Sequence, residues 1–270
     1  MRILFLGDVV GRGARAAVAE RLPALREAWR LDFVVVNAEN ASGGMGCTAA
    51  HAQGLLAAGA DVLTLGDHAF DQKDMLQAVE SEPRIVRPLN FAKDAPGKGV
   101  RVYQAGGRRV VVAQALGQVF MKRSFDDPFS ALDGALRTYR LGAAANAVIV
   151  DVHAEATSEK NAIAHFLDGR ASLVAGTHTH VPTADAQILD GGTATITDAG
   201  MCGDYGGVIG MDRAEPLRRF VTGMPKGRFE PGTGPVTLSG VYVETDDRSG
   251  LARRVVPVRQ GGRLPQSGPE

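Results

Sequence analysis

The residues RILFLGD at positions 2–8 decide the fold class of this chain of 270 residues. The apolar run from Ile3 to Leu6 is short and continuous, which is typical of a strand buried on both faces. A glycine and Asp8 follow it at once. The same order, an apolar run and then small or polar residues, recurs at 33–40 and 62–68. This part of the chain therefore predicts buried strands with polar side chains at their carboxyl ends.

Segments with helical periodicity separate these strands. Helices are predicted over 13–30, over 48–58 with Thr48 as the N-cap, and over 71–80 with Asp71 as the cap. Strands that alternate with helices predict right-handed βαβ crossovers and a largely parallel sheet. Further strands are predicted at 85–86, 100–103, 110–113, 148–152 and 173–175, and further helices at 129–140 and 158–168.

The last third of the chain has a different pattern. Two short strand-like runs within 186–198 flank two glycines and predict a hairpin. The segment 200–235 is rich in glycine and proline and predicts loops with a short helix at 212–222. Residues 236–244 and 251–258 predict a terminal hairpin.

Composition is that of an ordinary globular protein, with 44% hydrophobic and 22% charged residues. Thirty basic residues balance thirty acidic ones, which argues against a stable nucleic-acid partner and against a basic membrane-binding surface. Cys47 and Cys202 are too few for a disulfide framework, and no apolar run approaches the length of a membrane span. We therefore expect a cytoplasmic protein without a membrane partner. No repeat or clear linker interrupts the chain, so we expect one domain over 1–260 and a flexible tail over 261–270.

Polar residues collect directly after the predicted strands. Ligands bind outside the carboxyl ends of the strands in an open α/β sheet, so one shared site is the simplest interpretation. Four of the six histidines lie at these points, whereas His51 and His165 fall within predicted helices and are not expected to bind metal. The residues at the strand ends are Asp8, Glu39, Asn40, Asp67, His68, His153, His178 and His180.

These side chains offer carboxylate and amide oxygens and imidazole nitrogens, a mixture that suits manganese, iron or zinc better than Mg²⁺ or Ca²⁺. They are too many for one tetrahedral ion and predict two ions that share a carboxylate, roughly 3.5–4 Å apart. Two cations suit phosphate-ester hydrolysis because they neutralise the substrate and lower the pKa of a bridging water, whose hydroxide attacks phosphorus. His68 follows a predicted ligand and is the predicted general acid for the leaving oxygen.

The order of these motifs resembles the YmdB-like branch of the calcineurin-like metallophosphoesterases. The resemblance extends through most of the chain, and the segments at 151–160 and 176–185 are its most specific part. The matching segments are GDVVGR (7–12), NAENASGG (37–44), GDHAFDQK (66–73), RPLNF (87–91), DVHAEATSEK (151–160), GTHTHVPTAD (176–185), ITDAGMCG (196–203) and VIGM (208–211).

The resemblance implies an α/β fold of the four-layer αββα sandwich type and a centre of two divalent or mixed-valence ions, iron or manganese. It implies hydrolysis of phosphodiesters, with 2′,3′-cyclic nucleotides as the characteristic substrate, and a homo-oligomer. Glu39 would bridge the two ions, and His68 would be the acid. The remaining ligands would be Asp8, Asn40 and His180 on one ion and Asp67, His153 and His178 on the other.

Two positions depart from the wider pattern. Calcineurin-like enzymes usually open with Asp-x-His, but Asp8-Val9-Val10 lacks the histidine, as in the YmdB-like branch, and Asn40 takes the vacant position. Where the family usually reads Gly-Asn-His, this chain reads Gly66-Asp67-His68. The added carboxylate should hold the cations more tightly, but it should also raise the pKa of the bridging water.

The substrate is less well defined by the sequence than the metal site. Ser42, Gly43 and Gly44 form a glycine-rich loop that allows close backbone approach, and with Asn90 they are the candidates for substrate binding. A phosphomonoesterase or nucleotidase would use the same metals. A regulatory protein that retains metal and nucleotide but turns over slowly is a further alternative. A metal-dependent amidohydrolase is disfavoured, since its His-x-His usually follows the first strand.

Overall fold

Two β-sheets form the centre of the structure, a computed structural model that describes residues 1–123 and 125–270. The strands are β1 (Arg2–Leu6), β2 (Asp8–Val9), β3 (Phe33–Asn37), β4 (Val62–Thr64), β5 (Ile85–Val86), β6 (Val100–Ala105), β7 (Arg108–Leu116), β8 (Ala147–His153), β9 (Leu173–Thr177), β10 (Gln187–Ile188), β11 (Ala194–Ile196), β12 (Met201–Asp204), β13 (Val236–Thr245) and β14 (Ala252–Gln260). The helices are α1 (Gly11–Ala28), α2 (Ala49–Ala57), α3 (Met75–Ser81), α4 (Pro128–Leu136), α5 (Thr157–Phe166) and α6 (Ala214–Thr222).

The strand order places the amino-terminal strands in one sheet and the middle of the chain in the other. The first sheet has the order β2-β12-β13-β1-β3-β4-β5, with β14 paired to β13. The second has the order β10-β11-β9-β8-β7-β6. Strands β1, β3, β4 and β5 run parallel, as do β7, β8, β9 and β11, whereas the hairpins at the sheet edges are antiparallel. The predicted parallel core is therefore confirmed, but it is divided between two mixed sheets.

Alternate residues of each strand face different cores. In β1, Phe5 points into the layer between the sheets, where it joins Ile149 of β8, while Leu4 packs on the outer side with Leu22 of α1. On the far side, Val150 of β8 packs with Ile163 of α5. Both faces of both sheets are covered, which explains why the strands are continuous apolar runs. The layers are helix, sheet, sheet and helix, so the predicted αββα sandwich is confirmed.

The predicted elements agree with the structure apart from their ends, the cap of α3 and the short strands β2 and β12, which were not predicted. Thr48 is confirmed as the N-cap of α2, because its side chain accepts a hydrogen bond from the His51 amide. The prediction that Asp71 caps the next helix is wrong: α3 begins at Met75, and the Asp71 carboxylate is hydrogen-bonded to His68 instead. The prediction of only loops and one helix over 200–235 missed strand β12.

The carboxyl-terminal segment after β14 contacts that strand. Ser267 and Arg259 exchange two backbone hydrogen bonds of 2.9 and 3.0 Å. The division into a domain over 1–260 and a flexible tail over 261–270 stays a prediction. No helix among the described residues is long and apolar enough to cross a membrane.

Candidate metal centre

The carboxyl ends of strands from both sheets meet at one point. Strands β1, β3 and β4 deliver oxygen ligands from the first sheet, while β8 and β9 deliver histidines from the second. The clearest contact between them is His153 Nε2, which lies 3.1 Å from Glu39 Oε1. Segments distant in sequence therefore form one buried site, as the sequence predicted.

A first group of side chains surrounds His153. Its Nε2 lies 3.2 Å from Asp67 Oδ1 and 3.0 Å from His178 Nδ1. One ligand atom from each of Glu39, Asp67, His153 and His178 lies within 4.8 Å of all the others. Carboxylate oxygens and imidazole nitrogens that converge so closely form a set that could hold a metal ion.

A second group lies on the other side of Glu39. Asn40 Nδ2 is 3.0 Å from Glu39 Oε1 and also 3.0 Å from His180 Nε2. The same His180 nitrogen is 3.9 Å from Asp8 Oδ1. Glu39 Oε1 is close both to His153 of the first group and to Asn40 of the second, which is the position that a bridging carboxylate requires.

The His-x-His segment leaves strand geometry at the site. His178 and His180 have φ values of 96° and 67°, in the left-handed region that residues with a Cβ seldom occupy. A regular strand would point them to opposite faces, but this turn aims both at the site. The His178 amide donates to Asp8 Oδ2 at 3.2 Å, and His180 Nδ1 donates to the Ile209 carbonyl at 2.8 Å. The second bond leaves His180 Nε2 facing the site.

The buried carboxylates make the site strongly favourable to cations. Oδ1 of Asp8 is buried without a hydrogen-bond partner, and burial raises the pKa of this carboxyl to about 7. Although burial opposes it, hydrogen bonds from His153 and His178 hold the pKa of Asp67 well below its usual range. Burial also opposes a charged His153, yet Glu39 and Asp67 raise its pKa. Cations would satisfy the Asp8 oxygen and compensate these charges, so the residues present fit a metal centre.

A hydrogen-bond chain behind His153 fixes its orientation. Thr177 Oγ1 donates to Asp151 Oδ1 at 2.6 Å and therefore accepts the 2.8 Å bond from His153 Nδ1. When the ring is neutral, its proton is therefore on Nδ1, and Nε2 is unprotonated and directed at the site. Metal-binding histidines use this arrangement. Burial raises the pKa of Asp151, but its other oxygen accepts bonds from Thr64, Asn37 and Gln114.

Sequence reasoning missed this chain of partners. The available signal was Asp151, an acidic residue inside the apolar strand β8 and two positions before His153, hence on the same face of the strand.

A second missed pair is Lys160 and Asp198, both buried, whose Nζ and Oδ2 lie 2.7 Å apart. Asp198 also accepts hydrogen bonds from the amide and hydroxyl of Thr179. This ion pair holds the segment between His178 and His180 in place.

His68 lies at the rim rather than among the ligands. Its side chain is 27% exposed, and its Nδ1 is 2.7 Å from Asp71 Oδ2. Its backbone amide donates to Glu39 Oε2 at 3.3 Å, which ties it to the predicted bridging carboxylate. The ring therefore stands at the edge of the site, partly exposed to solvent.

The candidate substrate residues occupy two places. Ser42 and Gly43 line a cavity beside the site, although the Ser42 hydroxyl is already bonded to His51 Nδ1. Gly44 lies next to Met211. Asn90 is buried, and its amide group bonds the backbone of Leu116 and Asp126, so it holds a loop that begins at the end of β7. Among the described residues, the cluster that could hold a metal ion contains neither His51 nor His165.

A four-layer sandwich that brings carboxylates, an amide and imidazoles to one edge of its two sheets defines a metallophosphoesterase. Comparison with known proteins specifies the family within that class. The model of the family described as "YmdB-like protein" matches residues 4–258, and the chain belongs to this family. Its class is that of phosphoric ester hydrolases, and its residues Glu39, Asp67, His153 and His178 could hold a metal ion.

Known relatives cover nearly the whole chain. A Bacillus subtilis protein named 2′,3′-cyclic-nucleotide 2′-phosphodiesterase is 43% identical over 94% of this chain and 95% of its own length. A crystal structure of a hypothetical protein from Thermus thermophilus is 42% identical, covers 97% of this chain and 100% of that one, and superposes with a TM-score of 0.90. A Mycoplasma pneumoniae structure described as a novel phosphatase is 34% identical with a TM-score of 0.89, over 97% and 93% of the two chains.

Proposed function

We propose that this protein hydrolyses 2′,3′-cyclic nucleotides with a pair of metal ions, iron or manganese, with zinc as the third candidate. The observation that carries the proposal is the position of Glu39, whose carboxylate contacts the ligand group around His153 and also Asn40 of the second group. The printed name of the Bacillus subtilis relative supports this substrate class.

The residues divide naturally into two ligand sets. Asp8, Asn40 and His180 with Glu39 would hold one ion, and Asp67, His153 and His178 with Glu39 would hold the other. Metal ions at such a site neutralise the phosphate and activate a water near neutral pH. The protein supplies the orientation: Thr177 and Asp151 fix His153, and the Ile209 carbonyl fixes His180.

His68 is the proposed general acid. Opening a 2′,3′-cyclic phosphate at the 2′ position releases a ribose alkoxide, which needs a proton as the bond to phosphorus breaks. Asp71 binds Nδ1 of His68, so Nε2 is the nitrogen that would carry the proton for the leaving oxygen. A partly exposed imidazole in this place can take a new proton from solvent.

We also propose a cytoplasmic location and a homo-oligomeric assembly. Cys47 and Cys202 are both free and buried, which suits the reducing cytoplasm. A homo-oligomer is proposed because α6 exposes apolar side chains, among them Leu217 (57%), Phe220 (86%) and Val221 (75%). Exposed apolar patches of this kind often mark interfaces between protein chains.

A second candidate function rests on Asp67. Its carboxylate adds negative charge next to the ligand nitrogens and competes with the phosphate for the cations. A protein that binds metal and nucleotide but turns over slowly would have this property. A phosphomonoesterase or nucleotidase remains the other alternative, since the same ligand set serves monoesters.

One set of assays separates these functions. The manganese-loaded protein is given 2′,3′-cyclic AMP, 3′,5′-cyclic AMP and adenosine 5′-monophosphate in parallel, and products are separated by chromatography. We expect 3′-AMP from the first substrate at a rate well above the other two. Faster release of phosphate from the monoester would establish the nucleotidase. Binding of all three without turnover would establish the regulatory protein. When a histidine of the site is replaced by alanine, as in His68→Ala, the matched control is His165→Ala, because His165 is exposed on α5.

A further inference from the structure

We propose that a cavity beside the metal centre, the arginine pocket, binds a second phosphate group of the substrate. Its defining residues are Arg12, Arg15, Ser42, Gly43, His51 and Gln72. The second phosphate would be the one on the 5′ oxygen of the nucleotide whose cyclic phosphate lies at the metals. This inference rests on the proposed function and specifies its substrate.

The pocket has the size and position that such a substrate requires. Its volume is about 690 Å³, within the range of small-molecule sites. The Gly11 amide, at the start of α1, donates to the carbonyl of the proposed ligand Asn40 at 3.0 Å. On another wall, Gln72 directly follows Asp71, the partner of His68. Residues that line the pocket are thus next in the chain to Gly11, which binds the proposed ligand Asn40, and to Asp71, which binds the proposed acid.

The charges in the pocket favour an anion. Within the described part of the chain, neither Arg12 nor Arg15 forms an ion pair with a carboxylate. Arg15 uses one nitrogen to bind the Ala41 carbonyl, which leaves further donors of its guanidinium. Glu230 is the acidic residue in the lining. Two guanidinium groups against one carboxylate leave a net positive surface that suits phosphate.

The backbone around the pocket adds to this preference. Helix α1 has no acidic residue in its first turn and no side-chain cap at Val10, so no side-chain carboxylate of the helix itself offsets the positive charge at its start. Gly43 has a φ of +67° and open space where a Cβ would lie. A ligand can therefore approach the backbone of this loop closely. These backbone features add to the preference for an anion that Arg12 and Arg15 create.

A 2′,3′-cyclic mononucleotide has one phosphate and leaves these groups unused. A second phosphate on the 5′ oxygen has two chemical sources: a terminal 5′-monoester, or the internucleotide diester of an RNA end. Both present phosphate oxygens to the same guanidinium groups. The pocket thus predicts a preference for 5′-phosphorylated substrates over 5′-hydroxyl nucleosides.

The test compares substrates that differ only at the 5′ position. With manganese-loaded protein, kcat/KM is measured for adenosine 2′,3′-cyclic phosphate, its 5′-phosphorylated form and the dinucleotide ending in the same cyclic phosphate. We expect a preference of about tenfold or more for a second phosphate, since one charged hydrogen-bonded contact is worth roughly that factor. A higher kcat/KM for the 5′-phosphorylated nucleotide alone assigns the pocket to a terminal phosphate. A higher kcat/KM for both that nucleotide and the dinucleotide assigns it to an RNA end. In Arg12→Gln the preference should fall towards one, and Arg12→Lys should restore part of it.

Binding of products separates failure of this inference from failure of the proposed function. Adenosine 3′,5′-bisphosphate should bind the manganese-loaded protein about tenfold more tightly than adenosine 3′-monophosphate, and Arg12→Gln should remove that difference. This measurement needs no turnover. The control is Arg248→Gln, which replaces an exposed arginine in the β13–β14 turn. Equal affinities for the two nucleotides in the wild-type protein would overturn the inference. It would also be overturned if the ratio of the two affinities were the same in Arg12→Gln as in Arg248→Gln.

Discussion

The two sheets contribute different chemistry to one site. The first sheet supplies oxygen ligands through Asp8, the first residue of β2, and through Glu39 and Asp67, which lie in the segments after β3 and β4. The second supplies imidazoles through His153 and the His-x-His turn, each held by a hydrogen bond on its far nitrogen or by the buried ion pair behind the turn. A carboxylate can bind a cation through either oxygen, but an imidazole binds through one nitrogen in one direction. The nitrogen side of the site is therefore the more elaborately supported side.

Removal of an imidazole ligand should have the largest effect. We expect His178→Ala or His153→Ala to lose metal and activity together, by more than the roughly 100-fold that loss of an outer hydrogen-bond partner costs. Metal content by atomic absorption and kcat on 2′,3′-cyclic AMP measure both. Full turnover in either variant would exclude that residue from the site.

His68 is the one imidazole on the oxygen side, and it should behave differently from the ligands. His68→Ala should retain metal but slow esters with poor leaving groups by about 10²–10⁴-fold, the usual contribution of a general acid. A p-nitrophenyl ester, whose leaving group needs no proton, should be slowed far less. Equal slowing of alkyl and p-nitrophenyl esters would argue against the acid role.

Loss of the support behind His153 should have an intermediate effect. Thr177→Val keeps the side-chain shape but removes the hydroxyl between His153 and Asp151, so we expect metal affinity to fall by about 10–100-fold. Thr195→Val, on the neighbouring strand β11 in the same sheet, is the control for the isosteric change. If both variants bind metal equally well, the hydrogen-bond chain does not orient the ligand.

Substitution on the oxygen side should be better tolerated. Asp67→Asn keeps an oxygen ligand and removes one negative charge, so we expect metal affinity to fall by less than about tenfold and kcat to stay equal or rise. Metal titration and initial rates over several pH values measure the two effects. Complete loss of metal in this variant would contradict the expectation that the neutral amide oxygen of an asparagine can replace the Asp67 carboxylate as ligand.

The smallest expected effect is on thermal stability without metal. Burial raises the pKa of Asp8 from 3.8 to about 7, so the folded state binds this proton more tightly and stability falls as pH rises towards about 7. The raised pKa of His153 acts in the same direction, since its contribution is lost as pH rises through the folded value. We expect chelated protein to unfold a few degrees lower at pH 8 than at pH 5.5, where about 1 kcal/mol corresponds to about 2–4 °C. Greater stability of the chelated protein at pH 8 would contradict this.

Much of this arrangement could be predicted from the sequence. Continuous apolar runs, such as Phe33 to Val36 in β3, identify strands covered on both faces, and the residues after them identify the site. The support for the ligands was not predictable in the same way. Thr177 and Asp198 are ordinary residues in strands and loops, and their roles depend on contacts with residues 26 and 38 positions away. Strand β12 was missed for a similar reason, because a short glycine-containing strand is defined by its partners β2 and β13 rather than by its own pattern.

The central claim is that the oxygen side and the nitrogen side together hold two cations. Anomalous scattering from crystals of manganese-loaded protein tests it most directly. We predict two peaks on either side of Glu39, one next to Asp8 and His180 and the other next to His153 and His178. A single peak in this site, or none, would contradict the account.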